Sequence, residues 1–240
     1  MEEIVRRNKI RKLPSDRSTL KSASICILLL NSTLYVNKNK NEKRELITEI
    51  NLFGKESQSI GEREVRPDII HNSLLMLLDS PLCKAGYLSE IIILNQDGKL
   101  LKIDPKFRVP RSFKVFSKVF SEFLSSPNGE LRLPDGMVVL SIKNETIEEF
   151  LSGTEVVVGF SRVAKREDFQ EFMKEKIKNV LNNENIKKLI FVIGAASKGS
   201  VCDIYSSFYS HYISICDISM PTYICCSKIC SELEEVLEIL

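Results

Sequence analysis

The second half of the chain alternates short runs rich in isoleucine and valine with amphipathic segments, and this alternation constrains the fold most. Four of the runs are predicted strands: Met137–Ile142, Glu155–Phe160, Lys188–Ala195 and His211–Ile218. Two segments have the apolar spacing of helices, Asp168–Leu181 and about Thr222–Leu240. Buried strands interleaved with amphipathic helices predict an α/β domain with a largely parallel sheet. Ligands in such sheets bind beyond the carboxyl ends of strands, which directs attention to the loops after Phe160, Ala195 and Ile218.

The first half contributes further elements of both kinds. The predicted strands are Ser24–Leu30 and a hairpin of Glu90–Leu94 with Lys99–Ile103, turned by Asn95-Gln96-Asp97-Gly98. The predicted helices are Arg66–Ser80, with Pro67 in its first turn and Pro81 as its stop, and Ser112–Leu124. The second helix carries Phe113, Phe116, Phe120 and Phe123 at helical spacing. This spacing is typical of core packing rather than of a base-stacking platform.

Composition excludes some classes of function. The formal net charge is only +2, so a nucleic-acid partner must be met by a local basic patch. The seven cysteines form no Cys-x-x-Cys pair and only two histidines are present, which disfavours a zinc site. Their odd number favours a reducing compartment, nuclear or cytoplasmic, with the cysteines as small buried hydrophobes. The longest apolar runs are far shorter than the ~20 residues that cross a bilayer, so we expect no membrane contact.

Residues 1–21 form a basic segment with little hydrophobic periodicity, and we expect a mobile arm. Its cations are Arg6, Arg7, Lys9, Arg11, Lys12, Arg17 and Lys21. The arm is either a solvated tail or an electrostatic tether to RNA or a nuclear import signal.

Three short segments carry residues suited to chemistry, each with a structural alternative. Arg66-Pro67-Asp68 places a charged pair at a helix start, either as a cap or as a carboxylate oriented for a substrate N–H; His71 joins it or is structural. Arg108 and Arg111 precede a helix, where guanidinium groups bind phosphate or are merely solvated. Ile193–Gly199 (IGAASKG) is either a plain turn or a loop whose backbone approaches a flat ligand closely.

Two of these segments carry a resemblance to a known family. Arg66–Gly86 (RPDIIHNSLLMLLDSPLCKAG) with Arg108–Phe113 (RVPRSF) closely resembles the ribosome-biogenesis pseudouridine methyltransferases of the SPOUT class, the essential-for-mitotic-growth family. Phe191–Gly199 (FVIGAASKG) and Cys226–Val236 (CSKICSELEEV) extend it, so that it covers roughly Ser22 to Leu240.

The resemblance implies a fold, a reaction and partners. It implies one α/β SPOUT domain over residues 22–240, with family-specific insertions, a C-terminal trefoil knot and a homodimer, an exception to the rule against knots. The implied reaction is S-adenosylmethionine-dependent methylation of a pseudouridine, extruded from a hairpin loop of small-subunit rRNA. Small-subunit assembly factors are further implied partners, no metal is implied, and the implied location is the nucleus and nucleolus.

The resemblance also implies roles for individual residues. The implied cofactor loops are Val158–Ser161, Gly194–Gly199 and Ile215–Met220. Within them the expected cofactor-binding residues are Val158, Gly194, Gly199, Ile215, Cys216, Asp217, Ile218, Ser219 and Met220. Arg66 and Asp68 match the catalytic pair that positions the target base, and Arg66, Arg108 and Arg111 match arginines that hold RNA.

The chain departs from the family at four places. Val115 replaces an arginine, Lys198 a histidine and Cys83 an asparagine. The third loop reads Ile218-Ser219-Met220-Pro221 where the family has Tyr-Pro-Leu-Ser, so its proline is displaced and restrains different dihedral angles. Two hypotheses therefore stand: an active methyltransferase that also acts in ribosome assembly, and an RNA-binding assembly factor of the same fold with weak or no catalysis.

Overall fold

The computed structural model describes residues 23–38, 44–47, 65–199 and 201–239; the predicted basic arm at residues 1–21 lies outside them. The strands in these ranges are β1 (Ser24–Ser32), β2 (Val36–Lys38), β3 (Arg44–Leu46), β4 (Leu88–Asn95), β5 (Leu100–Ile103), β6 (Glu130–Arg132), β7 (Val138–Lys143), β8 (Val156–Arg166), β9 (Lys188–Gly194) and β10 (His211–Ser214). The α-helices are α1 (Pro67–Asp79), α2 (Pro81–Lys84), α3 (Phe113–Ser125), α4 (Ile147–Ser152), α5 (Phe169–Phe172), α6 (Lys178–Leu181) and α7 (Thr222–Val236). A π-helical segment (Met173–Ile177) joins α5 to α6, and a 3-10 helix spans Cys202–Phe208.

The main sheet has eight strands in the order β10-β8-β9-β1-β4-β5-β7-β6. The strands from β10 to β4 are parallel, and the remaining pairings, β4 with β5, β5 with β7 and β7 with β6, are antiparallel. The predicted α/β class and the β4–β5 hairpin are confirmed. The prediction of a largely parallel sheet holds for one half only, because the hairpin turn reverses the chain and the next strands continue from it. β2 and β3 pair separately.

Helices cover both faces of the sheet, which gives three layers. Alternate residues of β1 show why: Ile25, Ile27 and Leu29 face a core shared with α1, α3 and α7. The intervening side chains of β1 face a second core, closed by α4 and the 3-10 helix. A strand buried on both faces needs apolar side chains in both directions, which explains the continuous apolar run from Ile25 to Leu30. Three of the four phenylalanines of α3 are fully buried, which confirms their role in the core.

The ends of several predicted elements need correction. The predicted strand His211–Ile218 ends at Ser214, and the residues after it form a loop. The helix α1 ends at Asp79 as Pro81 predicted, but Pro81 also starts the short helix α2, whose cap is the Ser80 hydroxyl accepting from the Cys83 N–H at 3.1 Å. Within the described ranges, every helix is too short or too polar to span a bilayer.

β8 breaks its register with β10 and thereby shapes the end of the sheet. His211 and Tyr212 pair with Val158 and Gly159, but the next residue of β10 pairs with Lys165. The ladder with β9 likewise ends at Gly159. Residues 160–164 therefore leave both ladders, a larger excursion than the single extra residue of an ordinary bulge. The prediction that this strand ends at Phe160 missed its continuation to Arg166.

Candidate functional site

A cleft of about 790 Å³ opens at the carboxyl ends of β8, β9 and β10. Its walls come from the start of α1 and from three segments: residues 160–163 of β8, the loop after β9, and residues 214–216 and 218–223 at and after the end of β10. This volume lies within the roughly 300–1,000 Å³ of small-molecule and cofactor sites. The position agrees with the expectation that ligands bind where parallel strands end. Because β10 ends early, its loop starts at Ile215 rather than after the predicted Ile218.

Arg66 and Asp68 form a bidentate ion pair on the α1 side of the cleft. Nε of Arg66 donates to Oδ1 of Asp68 at 2.9 Å and an Nη donates to Oδ2 at 2.8 Å. These hydrogen bonds hold the pKa of the Asp68 carboxyl below its ordinary value, although partial burial acts in the opposite direction. The carboxylate is therefore ionised at neutral pH and is a weaker base than a free aspartate.

The backbone fixes this pair to the end of β1. The Arg66 N–H donates to Oγ1 of Thr33 at 2.7 Å, and Thr33 is 3% exposed. Pro67 then begins α1 without an N–H to satisfy. The side chains of Arg66 and Asp68 remain 40% and 38% exposed. The pair is thus rigidly placed yet open to a ligand. Of the two interpretations made from the sequence, the structure is compatible with both, because the pair is an ion pair at a helix start and its carboxylate has a fixed orientation.

The second loop, after β9, contributes Gly194 and residues 196–199 to the cleft. Gly199 has a φ of +88°, a region that side chains with Cβ atoms disfavour, so the turn depends on glycine there. The carbonyl of Gly194 accepts a hydrogen bond of 2.8 Å from the hydroxyl of Thr222, the first residue of α7. This bond ties the second loop to the helix that follows the third.

The third loop, after β10, brings five of the six residues expected from the resemblance into the cleft: Ile215, Cys216, Ile218, Ser219 and Met220. The Ser214 hydroxyl donates to the Cys216 carbonyl at 2.9 Å, and the Cys216 thiol donates to the Ile218 carbonyl at 3.1 Å. Local hydrogen bonds therefore shape this loop despite its displaced proline. Pro221 instead becomes the cap residue of α7.

Two of the expected cofactor-binding residues lie elsewhere. Val158 is 0% exposed and belongs to the core that β1 shares with α1, α3 and α7. Its neighbour Gly159 faces the opposite side of the sheet, as successive residues of a strand do. Asp217 is exposed and forms an ion pair with Arg166 of β8 rather than lining the cleft. Neither side chain lines the cleft, and the expected role of the two residues in cofactor binding stays a prediction.

His71 lies outside the cleft and has a structural role. It is 5% exposed, and its ring lies 4.5 Å from that of Phe116, centroid to centroid. Its Nε2 is 2.8 Å from the carbonyl oxygen of Pro110, which can only accept, so Nε2 carries the proton. Of the two interpretations of His71, the structure supports the structural one: it connects α1 to the loop that bears Arg108 and Arg111.

Arg108 and Arg111 are exposed and lie apart from the cleft. Arg111 forms a bidentate ion pair with Asp79 at the end of α1, whereas Arg108 makes no ion pair with any described residue. At 1.5 Å per residue, α1 extends about 16 Å from Asp68 to Asp79. The structure therefore arranges a cleft and a basic loop at different points along one helix.

The cysteines are only partly the buried hydrophobes expected from composition. Five are buried, but Cys216 and Cys225 are half-buried and line the cleft, as does the buried Cys202. Burial raises the pKa of Cys225 to about 11 and that of Cys202 to about 12, so both are neutral thiols at physiological pH. Among the residues that the structure describes, no group of three or more metal-binding side chains occurs.

The sequence analysis missed several residues of the cleft, among them Asn72, Arg162 and Tyr223. A signal existed for Asn72, since it follows Asp68 by four positions and shares its face of α1. Arg162 reaches the cleft because β8 leaves its ladders, and Tyr223 because α7 starts at the rim. Neither of these placements follows from local pattern.

Comparisons with known proteins agree with this architecture. A family model described as EMG1/NEP1 methyltransferase matches residues 27–234. Proteins named ribosomal RNA small subunit methyltransferase NEP1 from Mus musculus and Homo sapiens are 31% and 30% identical over 175 residues, which is 72% of this chain. The chain spans 65% of the length of these two relatives.

A solved structure extends the comparison to the fold. The crystal structure of Archaeoglobus fulgidus Nep1 bound to S-adenosylhomocysteine superposes with a TM-score of 0.67 at 18% identity. The match covers 90% of this chain and 99% of that one. At this level of identity the likeness establishes a common fold.

Proposed function

The chain belongs to the EMG1/NEP1 methyltransferase family, and on that premise we propose that it transfers a methyl group from S-adenosylmethionine to a pseudouridine of small-subunit rRNA during ribosome biogenesis. One observation carries the proposal: the Arg66–Asp68 pair and residues of all three loops that the family assigns to the cofactor line the same cleft. These segments are distant in the sequence, and the fold brings them to one cleft.

The cleft fits such a cofactor in size and chemistry. Apolar side chains for an adenine ring come from Ile215, Ile218 and Met220, and the backbone of the second and third loops offers hydrogen-bonding groups for its edge. A Cβ atom added at Gly199 would meet no atom within 4 Å, so the space beside this turn is open. When bound, S-adenosylmethionine supplies a methyl group on a positively charged sulfur, ready for direct transfer to a nucleophile.

Asp68 would orient the target nitrogen. Pseudouridine has a ring N–H that uridine uses for its glycosidic bond; methylation forms an N–CH₃ bond there as the S–CH₃ bond breaks and the nitrogen loses its proton. The hydrogen bonds from Arg66 make Asp68 a weak base, so we assign it the N–H acceptor role and assign the proton to water. Positioning then supplies most of the rate, as is common when a reaction needs alignment more than acid–base strength.

The basic loop would bind RNA outside the cleft. Arg108 is exposed and unpaired within the described ranges, and phosphate can compete with Asp79 for the solvent-exposed Arg111. Since Arg111 is paired with Asp79 at the far end of α1 from Asp68, and neither arginine lines the cleft, the two fit nucleotides flanking the extruded base rather than the base itself. Arg66 serves both the pocket and, at its rim, the RNA.

Further properties of the family belong to the same proposal. We propose that residues 22–240 form one SPOUT domain whose C-terminal part is knotted, that two chains form a homodimer, and that the protein works in the nucleolus with small-subunit assembly factors. The parallel strands β8, β9 and β10 lie in the sheet in the order β10-β8-β9, which differs from their order in the chain. This order supports a C-terminal part that passes through a loop of the chain, as a knot requires.

The second hypothesis, an RNA-binding assembly factor without catalysis, is supported by the altered third loop. Isothermal titration calorimetry with S-adenosylmethionine separates the two. The proposed enzyme binds about one equivalent per chain with a Kd in the micromolar range, a typical affinity for a cosubstrate. A folded protein that binds the RNA but gives no heat with the cofactor would leave only the second hypothesis.

A further inference from the structure

Arg162 is a cation of the cleft to which the proposed function gives no role. It lies in the excursion of β8, residues 160–164, which leaves the ladders with both β9 and β10. Its side chain lines the cleft and the residue is exposed. In the part of the chain that the structure describes, it makes no ion pair and no hydrogen bond through its guanidinium group. An arginine in this state has its five donors available to a ligand.

The charged side chains that line the cleft have a net positive charge. Three cations, Arg66, Arg162 and Lys198, line it, and Asp68 is the single carboxylate among the described lining residues. Since Asp68 is neutralised by Arg66, the charge of Arg162 is not cancelled by a neighbour on the cleft wall. A site built this way attracts an anion, and a guanidinium group suits phosphate because it donates two parallel hydrogen bonds.

The position of Arg162 distinguishes it from the arginines on the α1 side. Arg66 lies at the start of α1, and Arg111 is paired with Asp79 at its end. Arg162 instead comes from β8, which β9 separates from β1 in the sheet. An extruded base that enters the cleft brings its own 5′ and 3′ phosphates to the rim. Contacts from two different elements would hold such a nucleotide on both sides.

We propose that Arg162 is an RNA-contact residue that binds a backbone phosphate at the target nucleotide and positions the extruded base in the cleft. This inference rests on the proposed function and adds to it a phosphate contact from β8. The competing anion is the carboxylate of the cofactor, which the same guanidinium group could bind. The two anions are separable because one is present in RNA and the other in S-adenosylhomocysteine.

Lys165 provides a matched control on the same strand. It is exposed, it lies three residues from Arg162, and it forms no ion pair within the described ranges, but it does not line the cleft. Arg162→Ala and Lys165→Ala therefore remove the same charge from nearly the same place. Arg162→Lys keeps the charge and tests whether the bidentate geometry matters.

The experiment measures two affinities for each variant. Fluorescence anisotropy gives the Kd for a labelled RNA stem-loop with one pseudouridine in its loop, at several salt concentrations, and calorimetry gives the Kd for S-adenosylhomocysteine. We expect Arg162→Ala to weaken RNA binding roughly tenfold, the size typical of a charge-assisted hydrogen bond. Its salt slope should fall by about one, as for the loss of one phosphate contact. Lys165→Ala should change the RNA affinity by less than about twofold, and Arg162→Lys should restore the slope but only part of the affinity.

Two results would overturn the inference. If Arg162→Ala and Lys165→Ala had equal RNA affinities, Arg162 would contribute only its positive charge and no specific phosphate contact. A loss of S-adenosylhomocysteine affinity with unchanged RNA binding would assign Arg162 to the cofactor carboxylate. Failure of the proposed function has a different signature: a wild-type protein that binds the stem-loop but transfers no methyl group leaves the Arg162 measurement interpretable.

Discussion

A hydrogen bond of 2.8 Å joins Nε2 of His71 to the carbonyl oxygen of Pro110 and connects α1 to the loop that carries Arg108 and Arg111. Three residues before His71, the same helix presents Asp68 to the cleft. The ion pair between Asp79 and Arg111 makes a second connection at the end of α1. The helix is therefore a common support for the pocket and for the proposed RNA-binding loop.

Removing the bond from His71 should loosen the loop while sparing the cofactor site. In His71→Phe the ring packing against Phe113 and Phe116 is retained but the Pro110 carbonyl loses its donor. We expect the free energy of unfolding to fall by about 1–3 kcal/mol, the usual cost of a buried unsatisfied group. Chemical denaturation measures this loss. RNA affinity should fall and S-adenosylhomocysteine affinity should not; unchanged RNA affinity would show that the loop needs no anchoring.

The pKa of Asp68 should depend on Arg66. Since hydrogen bonds from Arg66 lower the folded-state pKa, the carboxyl contributes stability above its unfolded-state pKa and loses that contribution as the pH falls through its folded-state pKa. Arg66→Ala removes the first cause of the shift, so the carboxyl should titrate at higher pH than in the wild type. Titration of the Asp68 side chain by ¹³C NMR measures the shift. Identical titration curves in both proteins would contradict the bidentate pair.

The arginines of the basic loop should act on RNA alone. Arg108→Ala with Arg111→Ala should weaken stem-loop binding and lower the salt slope by up to about two, since each phosphate contact contributes about one. The matched control is Arg132→Ala, which removes an exposed arginine from β6 at the opposite edge of the sheet from β10. Filter binding over a range of salt concentrations supplies the slopes. An unchanged slope in the double variant would show that neither side chain contacts phosphate.

Gly159 should tolerate no side chain, because the ring of Tyr209 lies directly over it. A Cβ atom at Gly159 would lie 2.2 Å from the Cδ2 and Cε2 atoms of that ring, and the Tyr209 hydroxyl is held by the Cys202 carbonyl at 2.8 Å. Gly159→Ala should therefore lower the free energy of unfolding by roughly 1–3 kcal/mol, as overpacking does, or more if the ring cannot shift.

A second glycine supplies the control for this substitution. At Gly153 the nearest atom to an added Cβ is the Glu149 carbonyl oxygen at 3.4 Å, and its φ of −81° suits any residue. Gly153→Ala should change the free energy of unfolding by no more than about 0.5 kcal/mol. Thermal or urea unfolding of both variants tests the pair. Equal stabilities would mean that Tyr209 moves aside at little cost.

Local pattern predicted most of the elements but not how they are arranged. The hairpin from Glu90 to Ile103 and the start of α7 at Thr222 follow from turn residues and periodicity, which are properties of neighbouring residues. β6 has three residues and too little pattern to be predicted. The helix α4 was missed although Thr146 and Glu149 form a capping box, a signal that the sequence does contain.

The site could be predicted only as far as its contacts are local or shared by a family. Arg66 and Asp68 are two residues apart, so their pairing needs no knowledge of the fold. Of the cofactor-binding residues that the resemblance implies, five of the third loop line the cleft, whereas Val158 lies in the core, where the alternation of a buried strand places it. Arg162 could not be predicted at all, because its position depends on a register break between β8 and β10.

The most direct test of the account is methyl transfer from tritium-labelled S-adenosylmethionine to two RNA stem-loops that differ only by pseudouridine or uridine in the loop. We expect label in the pseudouridine RNA alone. Asp68→Ala should lower the rate by roughly 100-fold or more, the scale of a lost orienting group, while its cofactor affinity stays near that of the wild type. Equal labelling of both RNAs, an undiminished rate in Asp68→Ala, or no transfer by a wild-type protein that binds cofactor and RNA would contradict the account.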